Sequence, residues 1–188
     1  MKCPNKKYLI LEGRDNFGGT WDLFKYPGIR SDSDMFTLGF SFKPWRERKA
    51  IADGPSIMKY LKETVNENNL EQNIEYNKSL VKAEWSSDEA LWKLTIFDSS
   101  SNKNIIISCK FLFMCSGYYS YENGYTPEFK GIENFQGSII HPQKWTDKID
   151  YKNKDVVVIG SGATAVTLVP EIAKDANSVT MLQRSPTY

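Results

Sequence analysis

The residues of this chain best suited to chemistry form a glycine turn, Gly160-Ser161-Gly162-Ala163-Thr164-Ala165, set between a strand pattern and a helix pattern. Glycines there permit a tight turn and let the backbone approach a pyrophosphate at the N-terminus of the following helix. Ala165 takes the third position of such a fingerprint, where alanine is tolerated. Ahead of the turn, Val156-Val157-Val158-Ile159 is a continuous apolar run, the pattern of a buried parallel strand. Roughly 20 residues after the turn, a dinucleotide fold ends its second strand, where NAD sites place a carboxylate on the ribose 2′-hydroxyl. Here the strand Ser178-Val179-Thr180-Met181-Leu182 runs into Gln183 and Arg184. A neutral amide and a cation suit a 2′-phosphate, so NADPH is favoured over NADH.

A second nucleotide signal lies near the start. Lys7-Tyr8-Leu9-Ile10-Leu11-Glu12 reads as a short buried strand ending in a carboxylate. Glu12 is what a first dinucleotide site needs at the end of its second strand, to hold an adenosine ribose. The matching glycine turn would lie roughly 20 residues earlier, ahead of Met1. Both nucleotide units are therefore expected to be incomplete in this chain, with exposed edges that favour aggregation. After Glu12, Gly18 and Gly19 supply backbone freedom beside Thr20, Trp21, Asp22 and Leu23, and Trp21, Phe24 and Tyr26 can cover a planar ring. Arg30-Ser31-Asp32-Ser33-Asp34 adds cations and carboxylates. Alone, this stretch reads as an aromatic loop packed on a core; two nucleotide signals in one chain reverse that preference.

The elements that must position these groups follow from periodicity. Gly54-Pro55 opens a helix over Asp53–Leu70, with Ile57, Tyr60, Leu61 and Val65 at three- and four-residue spacing. Three strands follow, Ile74–Trp85, Ala90–Phe97 and Asn104–Cys115, joined by polar turns into an antiparallel meander that serves as structural cover. The third closes in Phe111-Leu112-Phe113-Met114-Cys115-Ser116-Gly117, small residues that either admit a cofactor or only make a turn. Cys115 reads as a buried hydrophobe, with no activating cation nearby in sequence. The run from Phe135 to Trp145 holds His141, the sole histidine, placed to couple domains and lacking an identifiable acid–base partner.

Composition narrows the classes. Across 188 residues the chain is 40% hydrophobic and 25% charged with net charge +1, which suits one or two globular domains and recruits neither nucleic acid nor an anionic surface. No apolar run approaches the ~20 residues of a membrane span, and no secretory signal is visible. Cys3, Cys109 and Cys115 form no CxxC pair and suit reduced thiols in a cytoplasm. One histidine leaves no histidine-rich metal site.

Together these segments resemble the class B flavoprotein monooxygenases, most closely the Baeyer–Villiger branch. Phe135, Gly137, His141 and Trp145 match its FxGxxxHxxxW fingerprint, although Thr146 and Asp147 follow where the branch commonly has Pro or Asp directly after Trp. Gly18 to Leu23, Arg30 to Met35, Gly160 to Pro170 and Gln183 to Tyr188 resemble its ethionamide-activating group. The resemblance implies FAD and NADP as cofactors, O₂ as co-substrate, and a small ketone or thioether as substrate. It implies Glu12 on the FAD ribose, Gly18 to Leu23 along the flavin nucleotide, and the Val81 backbone at the adenine. Asp32 would lie near the flavin and cooperate with an arginine expected beyond Tyr188. Gly160, Ser161, Gly162, Ala163, Thr164 and Ala165 would take the NADPH pyrophosphate, and Arg184 and Ser185 its 2′-phosphate. His141 and Trp145 would form the hinge coupling NADPH position to catalysis, giving Asp32, His141 and Trp145 as the candidate catalytic set.

The expected fold is α/β, an incomplete pair of Rossmann-like units for FAD and NADP with the meander between them. The expected boundaries are a partial FAD domain over 1–134, a linker over 135–150, and the start of an NADP domain over 151–188. The expected reaction inserts oxygen beside a ketone carbonyl or oxidises sulfur or nitrogen, with the isolated chain inactive. An amine- or sulfur-oxidising flavin monooxygenase and a non-catalytic nucleotide-binding remnant are the alternatives.

Overall fold

The computed structural model describes residues 5–186, so Cys3, Thr187 and Tyr188 lie outside the described residues. In chain order the elements are β1 (Ile10–Leu11), α1 (Thr20–Leu23), α2 (Met35–Leu38), α3 (Gly54–Glu67), β2 (Ile74–Glu75), β3 (Lys78–Ser86), β4 (Leu91–Asp98), β5 (Lys103–Cys109), β6 (Asp155–Ile159), α4 (Ala163–Ile172) and β7 (Ser178–Leu182). This is a mixed α/β fold with an antiparallel three-stranded sheet and two short parallel pairs. Residues up to Gly18 together with Lys62–Tyr118 form one compact unit, and Gly19–Leu61 with Tyr119 onward form the other.

In the first unit, β1 pairs parallel with β2 over two residues each, Ile10 opposite Ile74 and Leu11 opposite Glu75. Glu12 N–H donates to the Glu75 carbonyl at 2.9 Å, and Lys78 N–H to the Glu12 carbonyl at 2.9 Å. The strand read over Lys7–Glu12 is thus much shorter than its apolar pattern. Its partner explains why: a 3₁₀ turn over Glu71–Asn73 leaves the residues ahead of Ile10 no strand to pair with, and Asn77, at a left-handed φ of 59° with its N–H donated to the Arg14 carbonyl, turns the chain away after Glu75. The turn at Asn77 splits the expected Ile74–Trp85 strand into β2 and β3.

The meander runs β3-β4-β5, all antiparallel, with β4 central and its alternate residues Leu94 and Ile96 buried. Ala90 and Asn102, both at positive φ, close its two turns. β5 stops at Cys109, opposite Trp92, because β4 begins at Leu91 and offers no backbone beyond it. Residues 110–115, expected to complete this strand, are not strand, and Phe113 is 83% exposed. Cys115 is exposed as well, against the expectation of a buried hydrophobe, since no sheet continues to cover it.

In the second unit, β6 and β7 pair parallel in register from Asp155 opposite Ser178 to Ile159 opposite Leu182. The Asp155 carboxylate accepts from Ser178 Oγ at 2.6 Å and Asn177 Nδ2 at 2.7 Å, and those bonds, the serine's first, hold its carboxyl below the usual range. α4 crosses between the strands and covers one face. Leu168 and Ile172 join Phe24 and Tyr26 in a buried cluster to which Val156, Val158 and Val179 add. The other face is open, with Val157 62% exposed, so the continuous apolar run is not buried on both sides as expected. A separate cluster gathers Met35, Trp45, Ala52, Ile57 and Tyr60. Tyr60 anchors it, its hydroxyl donating to the Lys43 carbonyl at 2.6 Å and accepting from Phe40 N–H at 2.7 Å.

Candidate functional site

The glycine turn departs from β6 at Gly160, whose φ of +117° lies where side chains are strained. Its N–H donates to the Leu182 carbonyl at 2.9 Å and so ties the turn to the end of β7. Gly162 is the N-cap of α4, and the helical ladder begins with Val166 N–H donating to the Gly162 carbonyl. The earlier amides of that first turn have no acceptor within the helix. A Cβ at Gly160 or at Gly162 would meet nothing within 4 Å, so the turn faces open space. Ala165 is buried, in keeping with a small residue at this position of the fingerprint. Ser161 and Thr164 are half-buried, Ala163 is exposed, and Arg184 and Ser185 are exposed just past β7. One end of this unit therefore brings together open space, helix amides without an intrahelical acceptor, and a cation.

The Gly18–Leu23 segment is built by two left-handed glycines, Gly18 at φ 111° and Gly19 at φ 52°. They launch α1, where Leu23 N–H donates to the Gly19 carbonyl at 2.9 Å. Thr20, Trp21, Asp22 and Leu23 are all half-buried. Trp21 leans on the Met35 cluster and Leu23 on the Phe24 cluster. Phe24 and Tyr26, read from sequence as covers for a planar ring, are instead core residues, 5% and 7% exposed. Their burial follows from Gly28: at φ +79° it lies directly on α4, where a Cβ would come within 2.7 Å of the Thr167 carbonyl oxygen.

Asp32 is exposed between two fixed points. On one side Ser31 is buried, its N–H donating to the Ala52 carbonyl at 2.8 Å. On the other, Asp34 caps α2, accepting from Thr37 N–H at 2.9 Å and Thr37 Oγ1 at 3.0 Å. The Thr37 amide and then its hydroxyl hold the Asp34 carboxyl below the ordinary range. Asp34 thus serves the backbone, a role its spacing to Thr37 encodes.

In the first unit, Glu12 is half-buried at the C-terminal end of β1, with Oε1 accepting from Arg14 N–H at 3.0 Å. Nearby, the Tyr76 hydroxyl donates to Glu71 Oε1 at 3.0 Å; burial, then the Glu71 hydrogen bond, push it up to about 12. Val81 occupies a β-bulge: register passes from Leu80 opposite Ile96 to Lys82 opposite Thr95, so Val81 has no residue across from it. A bulge releases backbone groups from the ladder, and Val81 is exposed.

The FxGxxxHxxxW run is an irregular segment with one short 3₁₀ turn. The Phe135 ring folds over Gly137, leaving only 2.5 Å for a Cβ there. His141 caps the Pro142–Lys144 turn through Nδ1, which accepts from Gln143 N–H at 3.2 Å and so leaves the proton of a neutral ring on Nε2. Trp145 is half-buried, edge-on to Tyr151 at 5.8 Å. Sequence reasoning passed over Gln143, whose buried side chain donates to the Ser120 carbonyl, and Gly124, which lies against the His141 ring. The only local sign of the second was the cluster Tyr118-Tyr119-Ser120-Tyr121 just ahead.

β6, the glycine turn, α4 and β7 form a strand–turn–helix–strand unit of the mixed α/β class. Within that class, the flavin-binding monooxygenase-like profile matches residues 46–188, and the chain belongs to this family. It is 57% identical over its whole length to the FAD-containing monooxygenase EthA of Mycolicibacterium smegmatis and 51% identical to a probable FAD-binding monooxygenase, AlmA, of an Acinetobacter species. The chain spans 38% and 37% of those two relatives. Among solved structures it resembles an oxidized steroid monooxygenase bound to NADP, with a TM-score of 0.81 and 26% identity over the whole chain and 36% of that protein. OTEMO in complex with FAD and NADP gives a TM-score of 0.80 at 26% identity, again over the whole chain and 36% of that protein. Among the described residues no helix is long and apolar enough to cross a membrane.

Proposed function

We propose that this chain carries nucleotide-binding segments of an FAD- and NADPH-dependent monooxygenase of Baeyer–Villiger type. In this reading β6–α4–β7 begins a Rossmann-like NADPH unit and β1–β2 belongs to an FAD unit. The observation that carries it is the open turn at Gly160–Gly162, with first-turn amides of α4 facing it and Arg184 following β7. Those donors fit a pyrophosphate, and the cation fits a 2′-phosphate. The left-handed Gly18–Gly19 backbone and Glu12 fit the flavin nucleotide and its ribose in the same way.

When bound, NADPH supplies the reducing equivalents and FAD the centre at which O₂ is activated, for insertion beside a ketone carbonyl or transfer to sulfur or nitrogen. The chain's own residues bind and orient. Gly160 to Ala165 hold the pyrophosphate, Arg184 and Ser185 select the phosphorylated ribose, and Glu12 accepts from a ribose hydroxyl. Val81 offers bulged backbone to an adenine edge. Asp32 presents a carboxylate from a segment anchored on both sides. His141 holds a proton on Nε2, directed by its Nδ1 bond. Trp145 in the last fingerprint position favours ketones over amines.

Binding is the informative measurement, since the chain spans about 38% of its relatives' length. Titrating the purified protein by tryptophan fluorescence, NADPH is expected to bind at least about tenfold tighter than NADH, the effect of one charge-assisted contact. Arg184→Ala should remove that preference. Equal affinity for the two nucleotides in the unsubstituted protein rejects the assignment.

A further inference from the structure

Residues 119–124 carry no helix or strand, and they match none of the motifs above. Five of the six nonetheless make a specific contact. The Tyr119 ring stands edge-on to Phe24 at 5.0 Å. The Ser120 carbonyl accepts from Gln143 Nε2, and the Glu122 carbonyl from Lys144 Nζ. The Tyr121 hydroxyl sits against Gly19, where a Cβ would lie 3.0 Å from it. Gly124 underlies the His141 imidazole so closely that a Cβ would collide with Cε1, Nε2 and Nδ1.

These contacts fall into two sets. Tyr119 and Tyr121 touch the segment that begins with Gly19 and Thr20; Ser120, Glu122 and Gly124 touch the fingerprint residues His141, Gln143 and Lys144. One short stretch of chain therefore ties the paired-glycine segment to the fingerprint histidine. Gly124 is not among the glycines at positive φ. Alanine could adopt its backbone, so the His141 ring alone demands glycine there.

We propose that Tyr119–Gly124 is a positioning strap, in which Gly124 sets the plane of the His141 ring and Tyr121 passes the position of the Gly19–Leu23 turn along to it. Its functional meaning rests on the reading of Gly19–Leu23 and His141 as cofactor-facing. Tyr121 and Gly124 are positioning residues, acting through neighbours. A strap of this kind transmits a shift at one end to the other, because both ends are fixed by packing and the middle by two backbone carbonyls.

His141 is the only histidine of the 188 residues, so its Cε1–H and Cδ2–H NMR signals report one ring without overlap. Gly124→Ala is expected to move both signals strongly. Tyr121→Phe removes one oxygen at the far end and should move them by a smaller, measurable shift. Tyr125→Phe, at an exposed neighbour, should leave them in place. Should Gly124→Ala fail to fold, pairing it with His141→Ala restores folding, because the ring that opposes the new methyl is gone. His141 signals that stay put in both single variants, or that respond to Gly124→Ala and not to Tyr121→Phe, overturn the strap. So does a double variant that remains unfolded. NADP⁺ added to the unsubstituted protein tests the cofactor reading separately: signals that ignore it reject that reading and leave the outcome for the strap to the variants.

Discussion

The two parallel pairs, β1–β2 and β6–β7, show what decides how far such a pair extends. The first is two residues per strand and the second five. β1 is apolar, but its partner β2 is only Ile74-Glu75 within the polar stretch Glu71 to Lys78, whereas β6 and β7 both carry apolar residues along their length. In β6–β7 the helix lying between the strands in sequence rests on the pair, and Leu168 and Ile172 cover Val156, Val158 and Val179. β1 and β2 are separated by residues 12–73, and Ile10 remains 40% exposed. A pair closed by its own crossover helix meets a smaller loop cost and gains a covered face. Cover and composition together set strand length here.

Substitutions can break or sharpen that contrast. Ile172 is 1% exposed in the covered pair, and Ile172→Ala should cost about 3–4 kcal/mol in urea unfolding followed by far-UV circular dichroism. Ile10→Ala should cost about 1 kcal/mol or less. Equal losses would mean that cover is not what distinguishes the pairs. Next in size is Gly28→Ala, which drives a methyl into the Thr167 carbonyl and adds left-handed strain, for roughly 2–3 kcal/mol. Gly160→Ala has the strain without the collision, and about 1 kcal/mol is expected. The same melting experiment ranks the two; a Gly160→Ala loss as large as that of Gly28→Ala would mean the turn is packed rather than open.

The smallest effect lies in the meander, which needs no crossover at all. Asp98 accepts from Lys78 Nζ at 2.9 Å, and that bond, ahead of the one from Ser101, draws its carboxyl down to about 2. A folded-state value below the unfolded one, about 3.9, contributes stability that is fully present above about pH 4 and is lost as pH falls through about 2. Asp98→Asn should flatten that stretch of the stability–pH curve. A curve unchanged by the substitution would show the ion pair to be idle.

Local signals were legible where the chain supplies its own partner. The glycine turn sits between β6 and α4 because its residues alone dictate a tight turn and a helix start. The helix read from Asp53 begins at Gly54, with Asp53 accepting from Ser56 N–H at 2.8 Å. The meander's polar turns fall at Ser86–Ala90 and Asp98–Lys103 because strand and turn chemistry are both local. Legibility failed wherever a distant residue decides. Residues 110–115 are as apolar as any strand, yet β4 ends before them. Phe24 and Tyr26 look like ligand covers until Gly28 lays the loop on α4. The Glu71–Asn73 turn that leaves β1 short begins 60 residues after Leu11 in sequence. The contacts of Tyr119–Gly124 carry no periodicity at all, since each is made to a different partner.

The Asp155 carboxylate has one further consequence. It ties the first residue of β6 to the first residue of β7 and to Asn177 just before it, at the end remote from the glycine turn. The two strands are pinned by side chains at the tail and only by backbone bonds, such as Gly160 N–H to the Leu182 carbonyl, at the jaws, like tongs. Opening fluctuations should therefore begin at Ile159 and Leu182 and die away toward Val156, and amide hydrogen exchange should slow in that order along β6. Under the proposed reading, a nucleotide entering at the turn would meet the end without the side-chain rivet, which keeps register while the jaws adjust.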